Sequence, residues 1–268
     1  IDMIGFTGGT ATGREIMAAA GRRLVPVALE LGGKSANIIC ESADLERALD
    51  GALVGIFANN GQQCLAGSRI LVQRSIAPAF IERFVERARN IRIGDPLSPR
   101  TEVGPLAYRA HMERVLSYVE VARADGAKLL TGGRRAPLER GWFVEPTAVL
   151  ASSNDARVCQ EEIFGPFATL LEFDTIDEAI AIANGSRFGL AGYVWSEDLA
   201  TALRCSREIR AGTIWVNTPM MRELRAPFGG YKESGVGRDG PASSVDFYTE
   251  LKSTILPLDP PPMHRYGA

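Results

Sequence analysis

The stretch Ile4-Gly5-Phe6-Thr7-Gly8-Gly9-Thr10 sets the pattern of the chain. Residues 2–6 read as a strand that runs into the turn Thr7-Gly8-Gly9. Residues 10–21 then read as a helix and Val25 to Leu31 as a second strand, together a βαβ fragment. The alternation continues outward. Leu45, Ala48, Leu49, Ala52, Leu53, Ile56 and Phe57 fit one helical face. Asp44 suits the N-cap of that helix, and Gly61 lies beyond its end. A strand follows over Ile70 to Gln73. A helix starts near Pro78, uses Ile81, Phe84, Val85 and Ala88, and stops before Gly94. After a loop to Pro105, a helix through Met112, Val115, Leu116 and Val119 ends near Gly126. Residues 127–131, 143–149 and 168–173 read as strands, and 176–184 and 198–209 as helices. Short strands surround Tyr193-Val194-Trp195 and Thr213-Ile214-Trp215-Val216. This rhythm predicts an α/β fold with a largely parallel sheet. Phe247 to Leu256 breaks it, reading as a late strand that pairs with another chain. The tail at Pro260-Pro261-Pro262 reads as extended.

Composition narrows the function. The chain has 268 residues, 46% hydrophobic and 23% charged, as in a soluble globular protein with a sizeable core. The net charge of -2, with scattered basic residues, argues against a nucleic-acid partner. No apolar run approaches the roughly 20 residues of a membrane span. No signal peptide is expected, because Ile1-Asp2-Met3-Ile4 reads as part of a strand. The four cysteines form no Cys-x-x-Cys pair and there are two histidines, so no metal site is expected. A reduced, cytoplasmic protein is the natural reading. Scarce histidine also weakens any Ser-His or Cys-His mechanism.

Cys64 lies in Asn60-Gly61-Gln62-Gln63-Cys64-Leu65-Ala66-Gly67. A thiolate adds readily to an aldehyde, and flanking glycines let backbone amides approach the sulfur and a developing oxyanion. Taken alone, Cys64 reads more simply as a small buried hydrophobe, and Cys40, Cys159 and Cys205 are assigned to packing. Glu30, before Gly32-Gly33, has the type and setting of a base towards water, or else of a surface ion-pair partner. Thr7-Gly8-Gly9-Thr10 joins a strand to a helix, where backbone N–H groups attract phosphate, but it is not a G-x-G-x-x-G fingerprint. Glu161-Glu162-Ile163-Phe164-Gly165-Pro166 offers carboxylates for ribose hydroxyls and a ring for a nicotinamide, or merely ends a helix. Arg222 and Arg225, before Pro227-Phe228-Gly229-Gly230, suit a carboxylate or a surface salt bridge.

In order, these segments resemble the NAD(P)-dependent aldehyde dehydrogenases. Phe6-Thr7-Gly8-Gly9-Thr10, Leu29-Glu30-Leu31-Gly32-Gly33-Lys34, Gly61-Gln62-Gln63-Cys64, Glu161 to Pro166 and Pro227 to Gly235 carry the resemblance over practically the whole chain. It implies Cys64 as nucleophile and Glu30 as the base that activates water for thioester hydrolysis. It implies NAD, or alternatively NADP, as cofactor. Cofactor contacts would come from Gly8, Gly9, the backbone of Leu31 and Gly32, the ribose-binding Glu162, and Phe164 near the nicotinamide. Gly9 stands where many relatives have serine, so a hydroxyl contact to the phosphates is lost. Asn217 matches an asparagine near the substrate pocket.

Asn217 to Arg225 is also similar to hydroxymuconic-semialdehyde dehydrogenases, through its Arg-x-Leu-Arg spacing. The ending Asp259 to Gly267 resembles the 5-carboxymethyl-2-hydroxymuconate semialdehyde enzymes of aromatic breakdown. The implied substrate is a small carboxylated aldehyde, with Arg222 and Arg225 as its carboxylate site. Residues 1–31 resemble the last βαβ piece of the dinucleotide-binding domain and 32–246 the catalytic domain. Residues 247–268 resemble an oligomerisation strand and tail, implying a homo-oligomer, dimer or tetramer. The chain is expected to lack the family's N-terminal half and to turn over poorly alone. Two rivals are a coenzyme A-acylating enzyme and a non-catalytic oligomerising fragment. Glu30 favours water over coenzyme A.

Overall fold

The computed structural model describes residues 1–259 and 261–267. The chain opens with β1 (Ile4–Thr7), α1 (Thr10–Gly21) and β2 (Val27–Glu30). The two strands pair in parallel, from Ile4 against Val27 to Thr7 against Glu30. There follow β3 (Ala36–Ile39), α2 (Leu45–Phe57), a tight turn over Ala58–Gly61, β4 (Arg69–Gln73), α3 (Ala77–Arg89) and α4 (Arg109–Ala124). Next come β5 (Lys128–Thr131), β6 (Thr147–Leu150), α5 (Arg157–Gln160), β7 (Phe167–Phe173), α6 (Ile176–Asn184), β8 (Phe188–Gly189), β9 (Ala191–Trp195) and α7 (Leu199–Glu208). The last elements are β10 (Thr213–Val216), β11 (Tyr231–Lys232), β12 (Gly235–Val236) and α8 (Pro241–Tyr248).

Seven strands form the main sheet in the order β10-β9-β3-β4-β7-β6-β5. All neighbours run parallel except β5 against β6. The α/β fold with a largely parallel sheet is therefore present. Successive strand residues point to opposite faces, so each face has its own core. Ile38, Leu71, Val149, Phe167, Leu171 and Val194 pack with α4, α6 and α7 on one side. Ile39, Ile70, Val72, Ala148, Leu170 and Trp195 pack with α2 and α3 on the other.

Local chemistry sets the helix boundaries. Asp44 Oδ1 accepts from Glu46 N at 3.1 Å and Arg47 N at 3.2 Å, capping α2 as the sequence suggests. Such a cap contributes about 1 kcal/mol. Asp198 does the same for α7. The central strand β3 went unmarked because Ala36-Asn37-Ile38-Ile39 is short and lacks a period that separates strand from helix. The strand expected over 143–149 forms only from Thr147; before Pro146, Val144 makes a single bridge to Arg135.

At the N-terminal end, β12 pairs antiparallel with β2, with Gly235 against Glu30 and Val236 against Leu29. One departure concerns the C-terminal end. The expected late strand over Phe247–Leu256 does not form. Phe247 and Tyr248 end α8, and residues 249–257 have no regular structure. A strand needs a ladder partner, and among the described residues this segment meets none. Leu251, Ile255, Leu256 and Leu258 lie fully exposed there. Pro260, part of the tail expected to run extended, lies outside the described residues.

Candidate active site

A cleft of about 1720 Å³ opens where α1, the end of β2, the Cys64 loop, the Glu161–Phe164 turn and residues 220–228 converge. Cys64, Glu30, Gly8, Gly9, Leu31, Gly32, Glu162, Phe164 and Arg222 all line it.

The Cys64 loop is fixed by its own turn chemistry. Asn59 and Asn60 adopt left-handed conformations, with φ of 50° and 59°, which asparagine tolerates. Gly61 follows at φ 67°, and a Cβ there would lie 2.0 Å from the Gly165 carbonyl oxygen. Glycine is thus required by conformation and by the neighbouring turn. Beyond Cys64, Gly67 N donates to Gly55 O at 2.9 Å, and Tyr193 Oη donates to Leu65 O at 2.8 Å. Cys64 is half-buried, whereas Cys40, Cys159 and Cys205 are buried. Burial, then the carboxylates of Glu162 and Glu30, push the Cys64 thiol above the ordinary range.

Glu30 ends β2, and its Oε2 is buried without a hydrogen-bond partner. Burial, together with the Asp239 carboxylate and against the pull of Arg238, raises it to about 7. A carboxyl held near 7 can exchange protons near neutral pH.

Glu162 Oε1 accepts from Gly33 N at 3.1 Å. A Cβ on Gly32 would come 2.0 Å from Glu162 Oε2, so glycine is what admits this carboxylate against the β2 end. Phe164 sits at φ 61°. The N-terminus of α1, twelve residues long, offers the cleft Gly8, Gly9, Thr10 and Ala11. Open space lies over Gly9, and no acidic residue occupies the first turn.

Two expected substrate residues have protein partners of their own. Asn217 does not reach the cleft: its Nδ2 donates to Ser196 O at 2.8 Å and its Oδ1 accepts from Ser196 N at 2.9 Å. An amide so engaged with backbone fixes the end of β10 instead. Arg225 also stays out of the cleft, because Glu223 takes its Nε and Nη2, both at 2.7 Å. Of the two expected arginines, Arg222 lines the cleft and Arg225 stands in solvent beside its Glu223 partner.

Other cleft residues escaped the sequence reading. Tyr108, His111, Arg114 and Tyr118 line the cleft from α4 and its start, as does Asp239 beside Glu30. The apolar face of α4 drew attention away from the polar residues beside it. Lys34 carried no assigned role. It is fully buried, its ammonium has no hydrogen-bond partner, and burial pulls it down to about 8.

A half-buried thiol, a carboxyl near 7 and a helix N-terminus thus meet around one cleft of an α/β fold. The aldehyde dehydrogenase family model matches residues 1–254, and the chain belongs to that family. It is 43% identical over 258 residues to the betaine aldehyde dehydrogenase of Brucella anthropi, spanning 95% of this chain and 53% of that protein. Among solved structures, HpcC from Thermus thermophilus superposes with a TM-score of 0.97 at 44% identity, covering 100% of this chain and 53% of that one. The NAD+ complex of an aldehyde dehydrogenase from Bacillus cereus gives 0.94 at 43%, covering 97% and 52%. The chain thus spans about half the length of the relatives it matches.

Proposed function

We propose that this chain carries the catalytic centre of an NAD-dependent aldehyde dehydrogenase that oxidises an aldehyde to its acid. The observation that carries this reading is the meeting of Cys64 and the Glu30 carboxyl, held near 7, in one cleft. The Cys64 sulfur attacks the aldehyde carbon and the thiol proton passes to the carbonyl oxygen, giving a thiohemiacetal. NAD, when bound, would supply a hydride acceptor for oxidation of this adduct to the Cys64 thioester, the hydroxyl proton going to solvent. Glu30 then takes a proton from water as its oxygen attacks the thioester carbon, releasing the acid and the Cys64 thiol. The raised carboxyl suits that exchange better than an ordinary surface glutamate, and it favours water over coenzyme A as acceptor.

The residues present fit a dinucleotide. The N-terminus of α1, with space over Gly9 and no acid in its first turn, suits phosphate. Glu162 lines the cleft with a carboxylate oriented by Gly33, as a ribose diol requires, and Phe164 and the backbone of Leu31 and Gly32 lie nearby. In this reading residues 1–31 are a dinucleotide-binding piece, 32–246 the catalytic part and 247–268 an oligomerisation segment. The exposed Leu251, Ile255 and Leu256 support burial against a second copy. Four free cysteines suit the cytoplasm.

For substrate, Arg222 in the cleft favours an aldehyde bearing a remote carboxylate, in line with the muconic-type semialdehyde resemblance. A second reading has its own support. Trp215 and Phe228 also line the cleft, and aromatic faces suit a quaternary ammonium group such as that of betaine aldehyde. Comparison of kcat/KM for the two aldehydes separates these readings.

The chemical reading is tested by incubating Glu30→Gln protein with aldehyde and NAD, followed by peptide mass mapping. An acyl adduct on Cys64 is expected, because acylation precedes the step that uses the base. Acylation at another cysteine, or none in protein shown to bind NAD, overturns the assignment.

A further inference from the structure

One face of α4 grips four consecutive residues, Glu161 to Phe164, three of which line the cleft. His111, Arg114 and Tyr118 stand at i, i+3 and i+7, which places them on one side of the helix. The His111 ring, itself buried, sets Nε2 2.7 Å from Phe164 O. Arg114 donates through Nη1 to Ile163 O at 3.3 Å and through Nη2 to Glu162 O at 2.7 Å. Its guanidinium lies 5.7 Å over the Tyr118 ring, and Tyr118 Oη donates to Glu161 Oε2 at 2.8 Å. Three carbonyls in a row and the preceding carboxylate are therefore held from a single helix.

Most of α4's core packing comes from Met112, Val115, Val119 and Ala122; Tyr118 joins that core, whereas His111 and Arg114 bond to the turn. The polar trio engages a turn that would not stay put unaided. Phe164 is a bulky residue at φ 61°, a conformation that persists only where surroundings hold it. Pinning the carbonyls towards α4 leaves the side chains of Glu162 and Phe164 in the cleft.

We propose that His111, Arg114 and Tyr118 are positioning residues, a clamp that holds the Glu161–Phe164 turn so that Glu162 and Phe164 present a preformed cofactor surface. The proposal rests on the cofactor reading above, yet the clamp itself is testable without cofactor.

The experiment uses the whole chain with Arg114→Met and His111→Ala, and with His111→Gln, which restores a donor to the Phe164 carbonyl. Hydrogen exchange is followed in the peptide spanning residues 158–167, and NAD affinity is measured by titration. Arg114→Met should speed exchange in that peptide and weaken NAD by about tenfold, the factor that corresponds to 1.4 kcal/mol. Cys64 alkylation should stay unchanged. His111→Ala should behave similarly, and His111→Gln should return both readouts close to the unsubstituted chain. Unchanged exchange in 158–167, or an increase spread evenly over the chain, overturns the clamp. A loosened turn with unaltered NAD affinity also overturns the positioning role. Failure of the unsubstituted chain to bind NAD counts against the cofactor reading, and the exchange result then decides the clamp by itself.

Discussion

The Glu161–Phe164 turn and the Met220–Pro227 segment face the same cleft but are held in different ways. The first is gripped from α4, tied to Gly33 through Glu162, and packed against Gly61 at Gly165. The second leans on one bond to the body of the fold, from Trp215 Nε1 to Met221 O at 2.8 Å, and otherwise on itself, as in the Arg225–Glu223 pair. Met221 and Leu224 point to solvent. In the proposed reading, chemistry that tolerates little displacement belongs to the pinned side and choice of substrate to the loose side. Substitutions on the pinned side should then change what the site can do. Those on the loose side change only what it prefers.

The largest effect should come from Cys64, on the loop packed beside the pinned turn through Gly61 and Gly165. Cys64→Ala should lower aldehyde oxidation by about 10⁴-fold or more, as expected when a nucleophile is removed. Limited alkylation with peptide mapping sharpens the point. Cys64 should label first, since the other three thiols are buried. Glu162→Gln should speed that labelling at pH 8, because the Glu162 carboxylate helps hold the thiol up. Slower labelling would break the electrostatic account.

Glu30 should come next, and its signature is a pH dependence. The folded carboxyl is raised from 4.5 to about 7, so the folded state favours its protonated form. The associated stability is fully present below pH 4.5 and is lost as pH rises through 7. Glu30→Gln should therefore melt higher than the natural chain at pH 8, with the gap closing towards pH 5. In the enzyme it should give one burst of NADH and then stall. Equal melting at both pH values would mean that Glu30 is not buried as described.

Gly61 probes the join between the Cys64 loop and the Glu161–Phe164 turn. Gly61→Ala puts a Cβ 2.0 Å from backbone, at φ 67°, and neither the carbonyl nor the turn can give way cheaply. A loss of about 1–3 kcal/mol in denaturant unfolding is expected. Gly32→Ala makes a useful contrast. Its Cβ would meet only the tip of the Glu162 side chain, so NAD affinity should fall while stability changes little.

The pinned side was also the more legible in sequence. Glycines beside Cys64 and after Glu30 mark places where backbones approach closely, and the structure puts both residues in one cleft. Asp44 and Gly61 bounded α2 because capping and left-handed turns are local events. Interactions across the chain left no such mark. Asp239 reaches Glu30 only because β12 pairs with β2, and Arg114 reaches Glu162 only because α4 packs beside that turn. Spacing alone is equally silent on Arg225: it suggests a pair with Arg222, and only the structure shows Glu223, two residues away, beside it.

The smallest effects should lie in the loose segment, and there the two arginines should part company. Arg222 lines the cleft, whereas Arg225 is solvent-exposed and already carries a carboxylate partner. A charge-assisted bond to a remote substrate carboxylate needs a guanidinium with free donors. Arg222→Met should thus raise KM for a carboxylated semialdehyde by about tenfold, the equivalent of 1.4 kcal/mol, with kcat little changed. Arg225→Met should leave KM essentially where it was. Neither change should alter KM for a neutral aliphatic aldehyde. If Arg222→Met improves betaine aldehyde while impairing the carboxylated substrate, the side chain sets charge preference directly. If Arg225→Met proves as damaging as Arg222→Met, the Glu223 pair must open on binding. The loose wall would then be a conformational participant rather than a selector, and the division drawn between the two regions would fail.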